Sequence, residues 1–389
     1  MKNSLGTCQS PTIEMRLAGH IPELDGIRGL AILVVTFYRF SREMPVDSTI
    51  GAMLRNSLAL GVKGVDLFFV LSGFLITGIL VESRGKAGYF RNFFARRSLR
   101  IFPLYFLSLA FCVCLIPWWL GDRNPFQQAT EQQIYLWTYL TNFRMSWLGQ
   151  WSFGRLDHFW SLAVEEHFYL IWPIIIYAVP QRWLLRVAIV GCAASATSRI
   201  AFAAWSSNQV APDVFSLFRF DALLLGSTLA LAMRQTSAAA WSTTKLWQVF
   251  LASLTLSLIS SYMNRRFLTI SHTLWPVSSA LLIAFVLRLE TERRLVQVFR
   301  MPWLRMLGKY SYAMYVFQSP LIPIIGMLSI GQTAFSMLGG AESIFAHLVY
   351  IGFMFALTLG LAILSWNLIE KHFLKLKQLF GSGSKSVNA

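Results

Sequence analysis

The chain has 389 residues, of which 55% are hydrophobic and only 13% charged, about half the charged share of an ordinary soluble domain. So much apolar surface does not fit inside one water-facing core, which excludes a soluble globular protein. The net charge of +16 invites a nucleic-acid reading, but no Gly-rich or aromatic nucleic-acid motif accompanies it, so nucleic acid is not an expected partner.

A bilayer span needs about 20 mainly apolar residues, and such runs recur from Leu24 nearly to Glu370. They predict an all-α, polytopic transmembrane helix bundle of about ten spans, at 24–40, 59–82, 101–119, 158–179, 184–203, 214–233, 246–262, 272–288, 310–330 and 344–368. Residues 1–23 contain Gln9, Pro11, Glu14 and Glu23 and no apolar core of a signal peptide, so they are expected to stay as a cytoplasmic N-terminal segment. The expected transmembrane domain runs 24–370 without a repeat, and 371–389 is a cytoplasmic tail. With the N-terminus inside, Lys and Arg number 22 in the inner segments and 8 in the outer ones. This asymmetry follows the positive-inside rule. It places both termini in the cytoplasm, the stretch 120–157 outside, and the protein in an inner-type cell membrane, with the lipid bilayer as its first partner. Segment 132–148 is aromatic but interrupted by Thr141, Asn142 and Arg144, and is expected to be an interfacial or re-entrant helix. Cys8, Cys112, Cys114 and Cys192 have neither disulfide nor metal-ligand spacing, and no metal site is expected.

A charge inside a span is costly unless it pairs or faces water, so each such residue is a candidate for function. Asp25 and Arg28 open the first span three residues apart and can pair on one face. Arg39, eleven residues beyond Arg28, returns to nearly that face about 16 Å further along. Snorkelling at the two membrane surfaces is the alternative explanation of these arginines. In the fourth span, His158, Ser161 and Glu165 fall at i, i+3 and i+7 on one face, with Glu166 and His167 beside them. A polar cavity or a structural hydrogen-bonded network would each account for them. The predicted loop 84–100 gathers Arg91, Arg96, Arg97 and Arg100 ahead of Pro103, which sits in the first turn of the predicted span. Anchoring explains arginines there, and so does a phosphate-rich cytoplasmic ligand held by guanidinium groups. Arg219 and Asp221 are two residues apart on a helix, so each needs a partner elsewhere. His272, Gln318 and Glu370 are further isolated polar groups for which structural roles are expected.

Together these residues fall into a pattern that resembles the acyltransferase 3 membrane family over nearly the whole chain. The resemblance rests on Leu24-Asp25-Gly-Ile-Arg28-Gly-Leu-Ala and on Gly64-Val-Asp66-Leu-Phe-Phe-Val-Leu-Ser72-Gly73-Phe-Leu-Ile-Thr77. It continues in Arg96-Arg97-Ser-Leu-Arg100-Ile-Phe-Pro103-Leu-Tyr105 and His158-Phe-Trp-Ser-Leu-Ala-Val-Glu165-Glu166-His-Phe-Tyr-Leu. Arg219-x-Asp221-Ala-Leu, Gly308-Lys-Tyr-Ser-Tyr312-Ala-Met-Tyr315 and Ile369-Glu370 complete it in order. The resemblance implies ten spans with cytoplasmic termini, and transfer of an acyl group, often acetyl, from a cytoplasmic thioester to a sugar or other acceptor outside.

Two positions depart from the family pattern. Where similar proteins carry a histidine eleven residues beyond the first-span arginine, this chain has Arg39, which stays protonated and cannot act as a base. Where many carry His-x-Pro after the Tyr-Ser-Tyr stretch, it has Gln318-Ser-Pro320. The resemblance therefore implies a membrane acyltransferase using acyl-coenzyme A as co-substrate, with no permanently bound cofactor and an envelope carbohydrate or lipid-linked sugar as acceptor. The expected catalytic set is Arg28, Arg39, His158, Glu165 and Glu166. Arg91, Arg96, Arg97 and Arg100 are expected to hold the donor phosphates. Asp25, Asp66, Ser72, Ser161, His167, Arg219, Asp221 and Gln318 form the expected substrate or structural polar network. The rival expectations are an impaired relative that binds acyl donor or lipid without turnover and, more weakly, a transporter, for which paired broken helices are lacking.

Overall fold

A computed structural model describes residues 20–43, 47–235, 242–262, 265–289, 293–327, 336–340 and 343–380. The expectations for residues 1–19, Cys8, the end of the ninth predicted span and the last nine residues lie outside them. Among the described residues there is no strand. The long helices are α1 (Pro22–Ser41), α2 (Gly64–Ser83), α3 (Tyr89–Ala110), α4 (Trp160–Ala178) and α5 (Gln181–Trp205). They continue as α6 (Ser216–Gln235), α7 (Thr243–Tyr262), α8 (Arg265–Arg288), α9 (Pro302–Phe317) and α10 (Ile344–Ser365). Among the described residues, six helical stretches are long and apolar enough to cross a bilayer: 49–83, 89–123, 181–205, 211–235, 269–288 and 344–380. The chain is an integral membrane protein. Helices α1 and α4 are not among the six, and these are the helices that carry Asp25, Arg28, Arg39, Glu165 and Glu166.

Two parallel helix pairs hold the bundle together through small residues, which let backbones approach closely where lipid supplies no hydrophobic drive between helices. In the α1–α9 pair, a Cβ on Gly29 would lie 1.9 Å from the Leu304 carbonyl oxygen, and one on Gly308 would lie 1.9 Å from that of Asp25. Just before α9, Arg300 Nε donates to Glu23 at 2.9 Å, which fixes the parallel register. In the α2–α6 pair, a Cβ on Gly73 would lie 1.8 Å from the Leu223 oxygen, and one on Gly226 would lie 2.0 Å from that of Val70. Polar links run the length of this second pair: Asp66–Arg219 at one end, Thr77–Ser227 at 2.8 Å, and Glu82–Arg234 at 2.7 Å at the other.

Several boundaries differ from the sequence expectation. Residues 89–100 are not a loop but the first three turns of α3, so Pro103 lies in the interior of that helix rather than in its first turn. The reason is length: α3 begins twelve residues before its apolar run, carrying its arginines on a helix that starts after a left-handed glycine, Gly88 (φ 72°). Segment 132–148 forms two short helices, Gln133–Trp137 and Thr141–Leu148, separated at Tyr139, which has φ 58°. The longer one, at 1.5 Å per residue, extends about 12 Å and does not cross a membrane.

Candidate functional site

A cavity of about 490 Å³ lies between α1, α2, α3, α4 and α9. Its apolar wall comes chiefly from α2, through Phe68, Leu71, Phe74 and Leu75. Its polar wall is assembled from three other helices. Arg28 projects from α1, Arg97 and Arg100 from α3, and Glu165 and Glu166 from α4. Arg97 and Arg100 share a face at i, i+3, whereas Arg91 and Arg96 point away and are exposed. The four arginines expected to act together are thus divided by helical geometry into an inward and an outward pair.

Glu165 is the hub of the polar wall. The Tyr169 hydroxyl, one turn further along α4, lies 3.0 Å from Glu165 Oε2 and 2.6 Å from Ser72 Oγ on α2. The Arg97 guanidinium lies over the Tyr169 ring, 5.3 Å from its centre. Arg97, Arg100 and Arg28 all sit close enough to Glu165 to act on its charge. On α1, Asp25 accepts from Arg28 at 3.3 Å and lies 2.6 Å from His20, so the Asp25–Arg28 pair expected from spacing is present. Ser161 also lines the cavity; its hydroxyl meets that of Tyr315 at 2.5 Å.

The remaining candidates fall elsewhere. His158 is buried behind Ser161 and Tyr315, whose hydroxyls lie 3.1 and 3.0 Å from the His158 carbonyl oxygen, and its ring lies against the backbone of Arg155, Tyr315 and Val316. Arg39 stands at the same end, within electrostatic range of His158, Tyr315 and Asp157, but does not line the cavity. Its Nε and both amide atoms of Gln318, one turn beyond Tyr315, are buried without partners. His167 Nδ1 lies 2.7 Å from Ser216 Oγ, away from the cavity. Asp66 and Arg219 pair with each other, and Asp221 pairs with Arg199 at 2.8 Å. The two residues that could not share a helix face thus found separate partners. His272 lies 2.7 Å from Asp213, and Glu370 accepts from Ser365 at 3.2 Å.

Sequence reasoning missed the tyrosines. Tyr169, Tyr312 and Tyr315 all line the cavity, and Tyr312 also donates to the Ile101 carbonyl at 2.7 Å. A tyrosine is amphipathic and common in spans, so only its helical phase marked it: Tyr169 is i+4 from Glu165, and Tyr312 and Tyr315 are i, i+3.

This arrangement is a membrane helix bundle with a cavity walled by arginines and carboxylates. An acyltransferase domain family model matches residues 21–367, and the chain belongs to the acyltransferase 3 family. Among curated proteins it is 35% identical over 165 residues to "Putative peptidoglycan O-acetyltransferase YrhL" of Bacillus subtilis, covering 40% of this chain and 23% of that protein. It is 29% identical over 170 residues to O-acetyltransferase OatA of Staphylococcus aureus, covering 42% of this chain and 26% of that protein. The chain thus matches about a quarter of the length of these relatives. No solved structure matches it at a significant level.

Proposed function

We propose that this chain is an integral membrane O-acyltransferase, moving an acetyl or other short acyl group from cytoplasmic acyl-coenzyme A to a hydroxyl of an envelope carbohydrate. The observation that carries this reading is the convergence of Arg28, Arg97 and Arg100 on Glu165 and Glu166 in one cavity. The names of the relatives, peptidoglycan O-acetyltransferase and O-acetyltransferase, favour a cell-wall sugar as acceptor. Ten spans with both termini in the cytoplasm are part of this proposal, and the charge asymmetry supports the orientation.

In the reaction, the acceptor oxygen attacks the thioester carbonyl, its proton passes to a base, a C–O bond forms, the C–S bond breaks, and the thiolate leaves to take up a proton. Of His158, Glu165, Glu166 and His167, the candidate bases of the fourth span, only Glu165 and Glu166 line the cavity. Glu165 is oriented by Tyr169 and is assigned the proton-accepting role. The guanidinium groups of Arg28 and Arg97 are placed to stabilise the oxyanion. Membrane-reconstituted protein given acetyl-coenzyme A and peptidoglycan fragments should release free thiol only when acceptor is present, and mass analysis should find the acetyl ester. Orientation is read separately in a cysteine-free background. Gln150→Cys should label with an impermeant thiol reagent in intact cells, and Lys86→Cys should not.

One observation favours a second reading, an impaired relative that binds donor without turnover: Arg39 and Gln318 stand where imidazoles are found in similar proteins. Donor binding with no thiol release across several sugar acceptors would decide for it.

A further inference from the structure

A second cavity, of about 600 Å³, adjoins the first and shares Arg28, Arg100 and Tyr312 with it. It is formed where α9 and the end of α10 approach α1 and α3. Five cations line it, Arg28, Arg100, Arg305, Lys309 and Lys377, against the carboxylates Asp25 and Glu370. Asp25 is already engaged by Arg28 and His20, and Glu370 by Ser365. Lysines and arginines outnumber carboxylates on its wall by three, and Arg305, Lys309 and Lys377 form no ion pair among the described residues. Arg305 Nε is buried and has no hydrogen-bond partner.

The aromatic part of the wall is unusual. Helix α10 widens into a π-type turn at Trp366–Glu370, a distortion that tends to mark functional positions. This turn carries Trp366 and Glu370 on the cavity wall. The Lys309 ammonium lies 4.7 Å from the Trp366 ring centre and 5.0 Å from that of Tyr310. Two flat rings beside a group of cations form a surface suited to a purine with phosphates attached, since aromatic faces stack on bases and guanidinium groups bind phosphate oxygens bidentately.

We propose that this second cavity is the nucleotide subsite of the donor: it takes the adenine ring and phosphates, while the acyl-bearing arm passes Arg28 and Arg100 into the inner cavity. This deepens the transferase reading and rests on it for the identity of the arm. The subsite itself is separable, because a phosphorylated adenine nucleotide lacking the arm has the same recognition chemistry. An anionic lipid headgroup shares the phosphate but not the base.

The probe is adenosine 3′,5′-bisphosphate, with binding measured by calorimetry on the purified full chain. Lys309→Gln and Trp366→Leu should each weaken binding by about tenfold, the scale of one charge-assisted hydrogen bond or one stacked base. Arg305→Gln should do the same and Arg305→Lys should recover part of it, which guards against a variant that simply misfolds. In the transfer assay these variants should raise KM for acetyl-coenzyme A and leave kcat unchanged, and they should not alter KM for acetyl-pantetheine, which has no nucleotide. Mutation-sensitive nucleotide binding without thiol release would support the subsite and defeat the transferase reading. Nucleotide binding that none of the variants changes would overturn the subsite. So would binding of phosphatidylglycerol vesicles that depends on the same residues while the nucleotide fails to compete.

Discussion

The polar groups shared by α2, α5 and α6 and those at the far end of α1 and α9 are both buried, yet they are partnered differently. In the first region Asp66 meets Arg219, and Asp221 meets Arg199. Arg199 also donates to the Phe218 and Thr269 carbonyls and to Thr273, and Arg219 lies near the rings of Phe69 and Trp160. In the second region the side-chain amide of Gln318 and the Nε of Arg39 are buried without hydrogen bonds. Burying charge is tolerable when it is paired and expensive when it is not. The four charges of the first region are paired, although Arg219 Nε and Nη1 lack hydrogen-bond partners; in the second, Arg39 has no ion pair among the described residues, and we propose that stability has been given up there for function.

Arg39→His tests the second region with the largest expected effect. Among the described residues Arg39 makes no ion pair, so the change breaks none. It places an imidazole able to accept a proton near Tyr315, which lines the cavity. Transfer should rise by roughly 10²–10⁴-fold, the usual worth of a positioned base. If it does not rise, Glu165→Gln should abolish the parent's turnover. Brisk parent turnover indifferent to both Glu165→Gln and His158→Ala would show that the site has been misplaced.

Asp221→Ala tests the first region. It leaves Arg199 charged, fully buried and without its carboxylate, which should cost about 3–5 kcal/mol, read as lower thermal stability in detergent. Gln318→Leu should behave in the opposite way, costing little or stabilising, because it removes polar atoms that have no partner. Equal losses in the two variants would erase the distinction between the regions.

The divided arginines of α3 give a smaller effect. Arg97→Ala and Arg100→Ala should each raise the donor KM by about tenfold, more steeply at low salt. Arg91→Ala and Arg96→Ala, on the outward face, should alter protein level or orientation and leave KM unchanged. Matching KM changes in all four would restore a single phosphate-binding group.

How far the sequence reached depends on which physical signal each feature carried. Helical class and family were legible because apolar runs and motif order are local. The Asp25–Arg28 pair and the separate fates of Arg219 and Asp221 followed from helical phase alone. The division of Arg91 and Arg96 from Arg97 and Arg100 was equally available to phase, but it was obscured by treating residues 84–100 as a loop. Arg199 and Glu82 were not recognisable as partners, since ion pairs across 22 or 152 residues of sequence depend on packing between helices. The second cavity was beyond reach for the same reason. It joins Arg28, Arg305 and Lys377, and no spacing rule connects them.

The smallest effect concerns Lys377, which lies beyond the last predicted span and lines the second cavity. Burial and the neighbouring charges of Arg100, Arg97 and Arg96 push its ammonium down to about 8. The carboxylate of Glu370 shares the cavity with it. The phosphate groups of adenosine 3′,5′-bisphosphate are almost fully ionised above pH 7, their second pKa being about 6, and the arginines stay charged throughout. Raising the pH from 7 to 9 therefore removes positive charge from Lys377 while the ligand stays anionic. Affinity for the bisphosphate should fall by a few fold, roughly the worth of one partly exposed ion pair, with its midpoint near pH 8. Lys377→Gln should bind more weakly at pH 7 and show a flatter profile between pH 7 and 9. An unchanged pH profile in Lys377→Gln would remove this lysine from the nucleotide subsite and leave phosphate recognition to Arg305 and Lys309.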